Sequence, residues 1–389
     1  MAFPSLRLPV AGALALALAL GVASPAAAQP ELDLSSLSEQ QLGSIIEGVG
    51  SVPVGSTADL LGAVGSADLP LTGEGSSMPV ETPRPVDPRI TTSEFVEVER
   101  TEGEYQYWLV RSAAMHREVI LEVVPSRVSD KAPVLYMLDG VDAPEGDSGW
   151  NHRADIASRM ADENVHVVAP TGAGGAYWTD WENADSALGY NKWETFITEE
   201  LPGIIEQGLA SMGESTTGKA AIGGASAGAQ AAMHLAATYP ELYDGVMAFS
   251  GYYSTMDGIG YQNLRLAVEL RGGDLENMWG PYRSERWREN DTVSHVEGLA
   301  EMPVYFSTGS GEIGPDDLGY YGADMLGVVL GIIIERGSLE GAQALERALN
   351  AEGIDHRVDY LDTGLHNWPT FLENFDEAWE YIEPSLQQA

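Results

Sequence analysis

One serine in the chain is enclosed by small residues on both sides, within KAAIGGASAGAQAAMHLAATYP at 219–240. An apolar run ends just before Ser226, and an alanine-rich run typical of a helix begins just after it. In a G-x-S-x-G pattern, Gly224 and Gly228 remove side chains that would collide where a strand turns sharply into a helix. The helix N-terminus then favours a developing anion beside the serine. We interpret Ser226 as a nucleophile; ordinary tight packing of small residues is the alternative.

A serine nucleophile requires a general base, which follows the serine and the acid in the chain order of G-x-S-x-G hydrolases. Four of the seven histidines follow Ser226. His234 lies eight residues along the same helix, about 12 Å away, and reads as structural. His295 lies in an amphipathic stretch before a strand, and His356 opens a strand at the opposite edge of the sheet. His366 follows that strand in DTGLHNWP, so we interpret it as the base, with a loop histidine as the alternative.

The acid partner is open from the residues alone. The usual place for it is the loop after the strand MPVYFSTG, where SGEIGPDDLG offers Glu312, Asp316 and Asp317. Glu335 lies further along, in GIIIERGS. Among these four carboxylates the loop position favours Asp317.

Apolar runs alternate with helical stretches from about residue 93 onward. The runs APVLYMLDG, VHVVAPTG, KAAIGGAS, YDGVMAFSG and MPVYFSTG are typical of strands that are buried on both faces. FVEVER, YQYWLVRS and REVILEVVPS precede them with short connections, which favour antiparallel pairing. The alternation predicts a mainly parallel central sheet with helices on both faces, and a site at the carboxyl ends of its strands. The apolar run at 325–334 predicts a buried helix or a pocket wall.

The composition excludes several classes of protein. The 389 residues include 20 basic and 59 acidic side chains, for a net charge of −39. Such a charge argues against nucleic acid and against electrostatic docking on anionic lipid, because the phosphates would be repelled. The chain has no cysteine, which excludes disulfides, thiolate metal sites and a thiol nucleophile. We expect no metal and no cofactor.

The N-terminus predicts secretion. Residues 1–28 combine Arg7, a short apolar core and the small residues Ala26, Ala27 and Ala28, which is the pattern of a cleaved signal peptide. A transmembrane anchor is the alternative, but the apolar run is short for a span. Residues 29–92 are rich in Ser, Gly, Leu and Pro without any aromatic residue, which predicts a linker. Within it, LSEQQLGSIIEGVGS and STADLLGAVGS are interpreted as a disordered spacer, with a weak repeat of short amphipathic helices as the alternative. The catalytic domain is predicted over 93–389.

Six stretches between about residue 95 and the C-terminus resemble the secreted mycolyltransferases of the mycolic-acid bacteria, the antigen 85 group and its corynebacterial relatives. KWETF ahead of the serine turn and MWGP followed by an Asn-Asp pair are the most specific of them. The predicted linker is not covered by the resemblance. The stretches are YMLDG at 136–140, GGAYWTDW at 174–181, KWETFITEELP at 192–202, GGASAGA at 223–229, NMWGP with WRENDT at 277–292, and LHNW at 365–368.

The resemblance implies an α/β-hydrolase fold with a Ser-Glu-His triad. Ser226 and His366 match the family's nucleophile and base. Its acid is a glutamate on a helix rather than in the preceding loop, which implies Glu335 in place of Asp317. The family's oxyanion hole uses two backbone N–H groups, which implies those of Val141 and Ala227.

The resemblance also implies a sugar site. Asp139 matches an aspartate that hydrogen bonds a trehalose hydroxyl, and Trp368 matches a tryptophan at the sugar pocket; a core aromatic is the alternative for Trp368. Two features depart from the antigen 85 pattern. Asp142 stands where those proteins carry a trehalose-contacting arginine, and the serine turn reads Ala-Ser-Ala rather than having Ser-Met after it. Both departures leave the acyl acceptor open.

The implied activity is transfer of mycolic acid from trehalose monomycolate, through a serine acyl-enzyme, to a second trehalose monomycolate, wall arabinogalactan or a protein hydroxyl. The implied place of action is the outer cell envelope, with trehalose mycolates and cell-wall glycan as partners. A secreted carboxylesterase of the same fold is one alternative. A non-catalytic surface protein that binds host matrix, such as fibronectin, is another.

Overall fold

The computed structural model describes residues 84–322 and 324–387, and two short strands upstream. These are β1 (Arg7–Leu8) and β2 (Leu32–Asp33), which pair antiparallel. The remainder of the predicted signal peptide and most of the predicted linker lie outside the described residues. Within the described part, no helix is long and apolar enough to cross a bilayer.

Nine further strands of the described chain form one sheet in the order β11-β10-β9-β8-β6-β7-β5-β4-β3. The six strands from β11 to β7 in this order pair in parallel, whereas β5, β4 and β3 join antiparallel at one side. The short connections of the first three strands explain this edge, because antiparallel neighbours need only a tight turn. The strands are β3 Glu94–Glu102, β4 Tyr105–Ser112, β5 Arg117–Val124, β6 Lys131–Leu138, β7 His166–Pro170, β8 Ser215–Ala225, β9 Val246–Phe249, β10 Val304–Thr308 and β11 Arg357–Tyr360.

Helices connect the parallel strands, as the alternating pattern predicts. The α-helices are α1 Gly149–His152, α2 Ile156–Arg159, α3 Trp193–Thr195, α4 Leu201–Met212, α5 Ala227–Thr238, α6 Gly258–Glu269, α7 Leu275–Trp279, α8 Glu285–Glu289, α9 Asp317–Tyr321, α10 Met325–Glu352, α11 Trp368–Leu372 and α12 Phe375–Gln387. A π-helical turn at Phe196–Glu200 joins α3 to α4, and 3₁₀ turns occupy Thr292–Ser294 and Glu297–Glu301.

Two apolar clusters cover the two faces of the sheet. Alternate residues of β6 point to opposite sides, so Val134 and Tyr136 join α4 and α5 in one cluster, while Leu135 and Met137 join α1, α2 and α12 in the other. The parallel strands are therefore covered on both faces, which is why their sequences are continuously apolar. The predicted arrangement of a mainly parallel sheet between helices is confirmed.

The carboxyl ends of the parallel strands share one edge of this sheet. Ser226 follows β8 directly, and the turn that contains Asp139 follows β6. His366 lies between β11 and α11, and Glu335 lies in α10, which follows β10. The topology therefore brings four distant parts of the chain to the edge where ligands bind in open α/β sheets.

Candidate active site

Ser226 occupies a sharp turn between β8 and α5. Its backbone has φ 56° and ψ −119°, a region that costs a residue with a side chain about 1–3 kcal/mol. Neighbouring glycines make the turn possible. A Cβ on Gly224 would lie 2.4 Å from the Gly228 carbonyl carbon, and one on Gly228 would lie 2.1 Å from the Leu138 oxygen. The turn leaves Ser226 partly exposed at the start of α5.

The side chain of His366 reaches Ser226 from the loop after β11. Its Nε2 lies 2.7 Å from Ser226 Oγ, and its Nδ1 lies 2.7 Å from Glu335 Oε2. Because Glu335 is acceptor-only when ionised, the hydrogen-bond network assigns the proton to Nδ1. Nε2 is then free to accept the serine proton, which is the arrangement a general base requires.

Glu335 is fully buried in α10 and is held by more than the histidine. While Oε2 faces His366, Oε1 accepts hydrogen bonds from Ser250 Oγ at 2.6 Å, Thr308 Oγ1 at 2.9 Å and the Gly309 N–H at 2.6 Å. Four donors on one carboxylate compensate its removal from water. Ser250 and Thr308 were missed by sequence reasoning, although both stand at the carboxyl ends of predicted strands.

The other candidate acids do not contact the imidazole of His366. Asp317 is buried, and its carboxylate instead accepts bonds from the loops around it. The donors are the Gly314 N–H at 2.6 Å, the Leu365 N–H at 3.2 Å and the side-chain amide of Asn367 at 2.6 Å. Glu312 and Asp316 are exposed. The geometry therefore favours Glu335 over Asp317, which the residues alone had favoured.

The remaining histidines downstream of the serine have other surroundings. His234 is buried in α5, and burial lowers its pKa. His295 Nε2 lies 3.0 Å from a carbonyl in α8, and His356 Nδ1 lies 2.9 Å from the Ile354 carbonyl. The structure brings His366 alone of these four to Ser226.

The two backbone N–H groups that the resemblance implies for an oxyanion hole, those of Val141 and Ala227, belong to the turns that follow β6 and β8. Ala227 is the first residue of α5, so its N–H has no intrahelical acceptor. The turn after β6 adjoins Ser226, because a Cβ on Gly140 would lie 3.4 Å from the serine Cβ. Within the described residues, neither the Val141 N–H nor the Ala227 N–H donates a hydrogen bond. Val141 is itself held through its carbonyl, which accepts from the Gly175 N–H at 2.8 Å.

Asp139 and Trp368 meet at the N-terminus of α1. The buried Asp139 carboxylate accepts from the Gly149 N–H at 3.0 and 3.2 Å. Burial raises its pKa to about 7, against the opposing hydrogen bonds from Ser148 and Gly149. Trp368 is partly exposed and packs edge-on against Trp150, with ring centroids 5.1 Å apart. The two predicted sugar contacts therefore both adjoin Gly149, since a Cβ on Gly149 would lie 2.1 Å from the Trp368 ring.

Asp142 forms an ion pair with Arg271, which lies just beyond α6. The Arg271 side chain is 2% exposed, against 35% for that of Asp142. Burial raises the pKa of Asp142, and the charge and hydrogen bond of Arg271 oppose that shift. An arginine is thus present beside the turn that carries Val141, although it comes from a part of the chain 129 residues away. No sequence signal connects the two residues.

Ser226 on its strained turn hydrogen bonds His366, and His366 in turn hydrogen bonds the buried Glu335, at the carboxyl edge of a mainly parallel sheet. This is the arrangement expected of a serine hydrolase site in an α/β fold. The family model described as a putative esterase matches residues 112–382, and the chain belongs to that family. Its fold is similar to MPT51 of Mycobacterium tuberculosis, with a TM-score of 0.59, 22% identity, and coverage of 73% of this chain and 99% of that one. An S-formylglutathione hydrolase from Agrobacterium tumefaciens gives a TM-score of 0.56 at 17% identity, covering 75% and 99%. The predicted α/β-hydrolase fold is confirmed.

The sequence relatives are acyltransferases. The diacylglycerol acyltransferase/mycolyltransferase Ag85A of Mycobacterium tuberculosis is 28% identical over 298 residues, which cover 73% of this chain and 81% of the relative. Ag85B of Mycobacterium intracellulare is 29% identical over 300 residues, covering 73% and 83%. The predicted resemblance to the mycolyltransferases is confirmed, and these relatives support an enzyme that transfers acyl groups.

Proposed function

We propose that this protein transfers mycolic acid from trehalose monomycolate, through an acyl-enzyme on Ser226, to a second trehalose monomycolate or to cell-wall arabinogalactan. The observation that carries the proposal is the unbroken hydrogen-bond series from Ser226 Oγ through His366 to the buried Glu335. This series supplies a nucleophile, a base and a group that orients the base, which are the parts of a serine acyl-transfer site.

In the first half-reaction, His366 Nε2 takes the proton of Ser226 as the serine oxygen attacks the ester carbonyl. The imidazolium that forms is stabilised by Glu335 at Nδ1, and the carboxylate is kept in place by its three other donors. The carbonyl oxygen becomes an anion, which the N–H groups of Val141 and Ala227 stabilise. His366 then donates its proton to the departing sugar oxygen, and free trehalose leaves.

In the second half-reaction, the hydroxyl of the acceptor replaces trehalose. His366 removes its proton, the acceptor oxygen attacks the acyl-enzyme, and collapse of the second oxyanion releases Ser226 with its proton restored by the imidazole. The atoms balance without a metal or redox group. Water in place of the sugar hydroxyl would give free acid.

The surroundings of the triad suit a lipid ester of a sugar. An apolar cluster joins α6 to α10 and includes Leu365, the residue before His366. Its partly buried members, among them Ile313, Val329 and Ile334, are the apolar side chains that we propose contact a long acyl chain. We propose that the partly exposed Trp368 presents its flat ring to a sugar face, and that Asp139, which is 2% exposed, hydrogen bonds a sugar hydroxyl. The cluster's other fully buried members are Leu266, Val328, Ile332 and Ile333.

The proposed site of action is the outer cell envelope after secretion. The proposed secretion depends on residues 1–28, whose sequence predicts a cleaved signal peptide. Residues 29–92 would separate the processed N-terminus from the catalytic domain. A net charge of −39 suits a neutral glycolipid substrate better than an anionic one.

A secreted carboxylesterase is the second candidate, and the matched esterase family favours it. The triad would be the same, but water would be the acceptor. The two functions therefore differ in the product and not in the first half-reaction.

The decisive experiment uses the chain without residues 1–28, as wild type and as Ser226→Ala. Each is incubated with trehalose monomycolate and free trehalose, and the lipids are separated. Trehalose dimycolate from the wild type alone supports the transferase. Free mycolic acid alone supports the esterase. Unchanged trehalose monomycolate in both samples refutes the trehalose-ester proposal, and retained fibronectin binding by Ser226→Ala would then favour the matrix-binding alternative.

A further inference from the structure

The short helix α9 contacts the loop of the proposed base with both of its ends. Asp317 is its first residue and Tyr321 its last. Residues four apart lie on the same face of a helix, so both side chains point to the segment 365–367. That segment carries His366 at its centre.

Asp317 holds the two neighbours of His366. Its Oδ1 accepts the Leu365 N–H at 3.2 Å and the Asn367 side-chain amide at 2.6 Å. Asn367 in turn caps α11, because its side-chain oxygen accepts the Thr370 N–H at 3.1 Å. One buried carboxylate thus fixes the chain immediately before and after the histidine.

Tyr321 and α10 hold the backbone of His366 itself. The Tyr321 hydroxyl donates to the His366 carbonyl at 2.9 Å, and the His366 N–H donates to the Gly331 carbonyl at 3.1 Å. Gly331 lies one helical turn before Glu335, so the same helix positions both the acid and the base. A Cβ on Gly331 would lie 2.4 Å from the Tyr321 oxygen, which explains the absence of a side chain there.

We propose that Asp317 and Tyr321 are positioning residues, which hold His366 between Ser226 and Glu335 by fixing the backbone of 365–367 from α9. The proposal rests on the proposed function, because it assigns His366 the role of base. Neither residue touches the reacting atoms. A loop held at several points loses little freedom when the imidazole gains a proton, and misplacement of such a group by about 1 Å lowers the rate about a hundredfold.

The hydroxyl of Tyr321 is suited to donate the same hydrogen bond at every working pH. Burial, with the neighbouring Tyr320, Glu335 and Asp317, raises its pKa far above the ordinary value. The hydroxyl therefore keeps its proton over the working range of pH and remains a donor to the His366 carbonyl. Loss of this bond should change where the imidazole lies without adding a titrating group.

The test uses Tyr321→Phe and Asp317→Asn in the chain without residues 1–28. Three readouts are measured: kcat and KM for a short-chain p-nitrophenyl ester across pH, the rate of Ser226 phosphonylation by a fluorophosphonate, and the downfield proton resonance of His366 Nδ1. We expect kcat to fall about tenfold for each variant with KM within about twofold. The phosphonylation rate should fall by the same factor, and the resonance should shift or broaden.

Two matched controls separate positioning from general stability. Asp185 is a buried carboxylate that accepts the N–H groups of Ala187, Leu188 and Asp274 and the side-chain amide of Asn277. Tyr305 is a buried tyrosine whose hydroxyl donates to Asp359 at 2.7 Å. Asp185→Asn and Tyr305→Phe delete similar bonds away from His366, so both should keep the wild-type kcat and the wild-type resonance.

The double variant Asp317→Asn with Tyr321→Phe gives a further check. Both residues act on one loop, so its loss should differ from the product of the two single losses. If Asp317→Asn does not fold, Tyr321→Phe carries the test alone, since its ring is retained.

Wild-type kcat together with an unchanged resonance in Tyr321→Phe and Asp317→Asn would overturn the proposal. So would equal losses in the two controls. An inert wild type would count against the proposed function, and the resonance would still report whether α9 positions His366 against Glu335.

Discussion

Replacing Glu335 by glutamine tests the proposed triad most directly, because it keeps the shape of the side chain and removes one acceptor. Three donors converge on Oε1, from Ser250, Thr308 and Gly309. The glutamine oxygen must stay with them, since an amide NH₂ there would face three other donors. The NH₂ group then points at His366 Nδ1, where the carboxylate Oε2 was at 2.7 Å.

The expected loss follows from the tautomer of the histidine. An amide N–H at Nδ1 requires that nitrogen to accept, so the imidazole proton moves to Nε2 and the ring cannot take the proton of Ser226. In other serine-histidine-carboxylate triads the equivalent change lowers kcat about ten-thousandfold, which corresponds to about 5 kcal/mol of transition-state stabilisation. We expect a loss of this order for Glu335→Gln, without a comparable loss of stability, because the other three hydrogen bonds remain.

The assay compares kcat/KM for a p-nitrophenyl ester, and the rate of fluorophosphonate labelling, between wild type and Glu335→Gln at several pH values. Thermal unfolding of both proteins establishes that the variant is folded. A folded Glu335→Gln with activity within tenfold of wild type would refute the assignment of Glu335 as the acid. A ten-thousandfold loss in a folded Asp317→Asn would refute it equally, since that residue is assigned only a positioning role.

Three further predictions concern the backbone and the buried carboxyl beside the triad. Ser226→Gly should relieve the backbone strain at φ 56°, so its free energy of unfolding should exceed that of Ser226→Ala by about 1 kcal/mol. Denaturant titration measures both values, and equal stability of these two inactive variants would contradict the strain argument. Gly228→Ala should lower the free energy of unfolding by several kcal/mol or prevent folding, because its Cβ would lie 2.1 Å from the Leu138 oxygen. Gly203→Ala, whose Cβ would have nothing within 4 Å, should raise the free energy of unfolding by up to about 1 kcal/mol, so similar melting temperatures for the two variants would contradict the steric argument. Folding raises the pKa of Asp139 from 3.8 to about 7, so the stability that this carboxyl contributes is present below about pH 4 and is lost as the pH rises to about 7, by about 4 kcal/mol at most. Asp139→Asn should remove this part of the pH dependence of unfolding, and an unchanged stability profile would show that Asp139 does not cause that dependence.

The sequence predicts the fold and two of the three proposed triad residues because these depend on local patterns. Continuous apolar runs between helical stretches are a direct result of burying parallel strands on both faces. The small residues around Ser226 follow from the steric needs of one turn, as the close approach of Gly228 to Leu138 illustrates. His366 could be identified as the candidate base because it follows a strand, and the carboxyl ends of parallel strands meet at one edge of the sheet.

The acid could not be identified from local sequence patterns in this way. Asp317 and Glu335 both follow β10, and both are buried carboxylates with several donors. Their different roles depend on how α9 and α10 pack over the strand ends, since one helix aims its carboxylate at the imidazole and the other at the backbone beside it. Side-chain direction of this kind is fixed by contacts between distant segments, which spacing along the chain does not encode.

The sequence by itself thus determined the alternation that forms the sheet, the turn that exposes Ser226 and the edge at which His366 lies, because each depends on neighbours in the chain. The choice of Glu335 as the carboxylate that faces His366 came from the family resemblance and not from the residues themselves, and the tertiary structure supplies its physical basis. Only the tertiary structure decided that Arg271 pairs with Asp142. The physical reason is that a hydrogen bond or ion pair needs its atoms within about 3 Å, and for residues that are far apart in the chain this distance is set by the packing of whole helices.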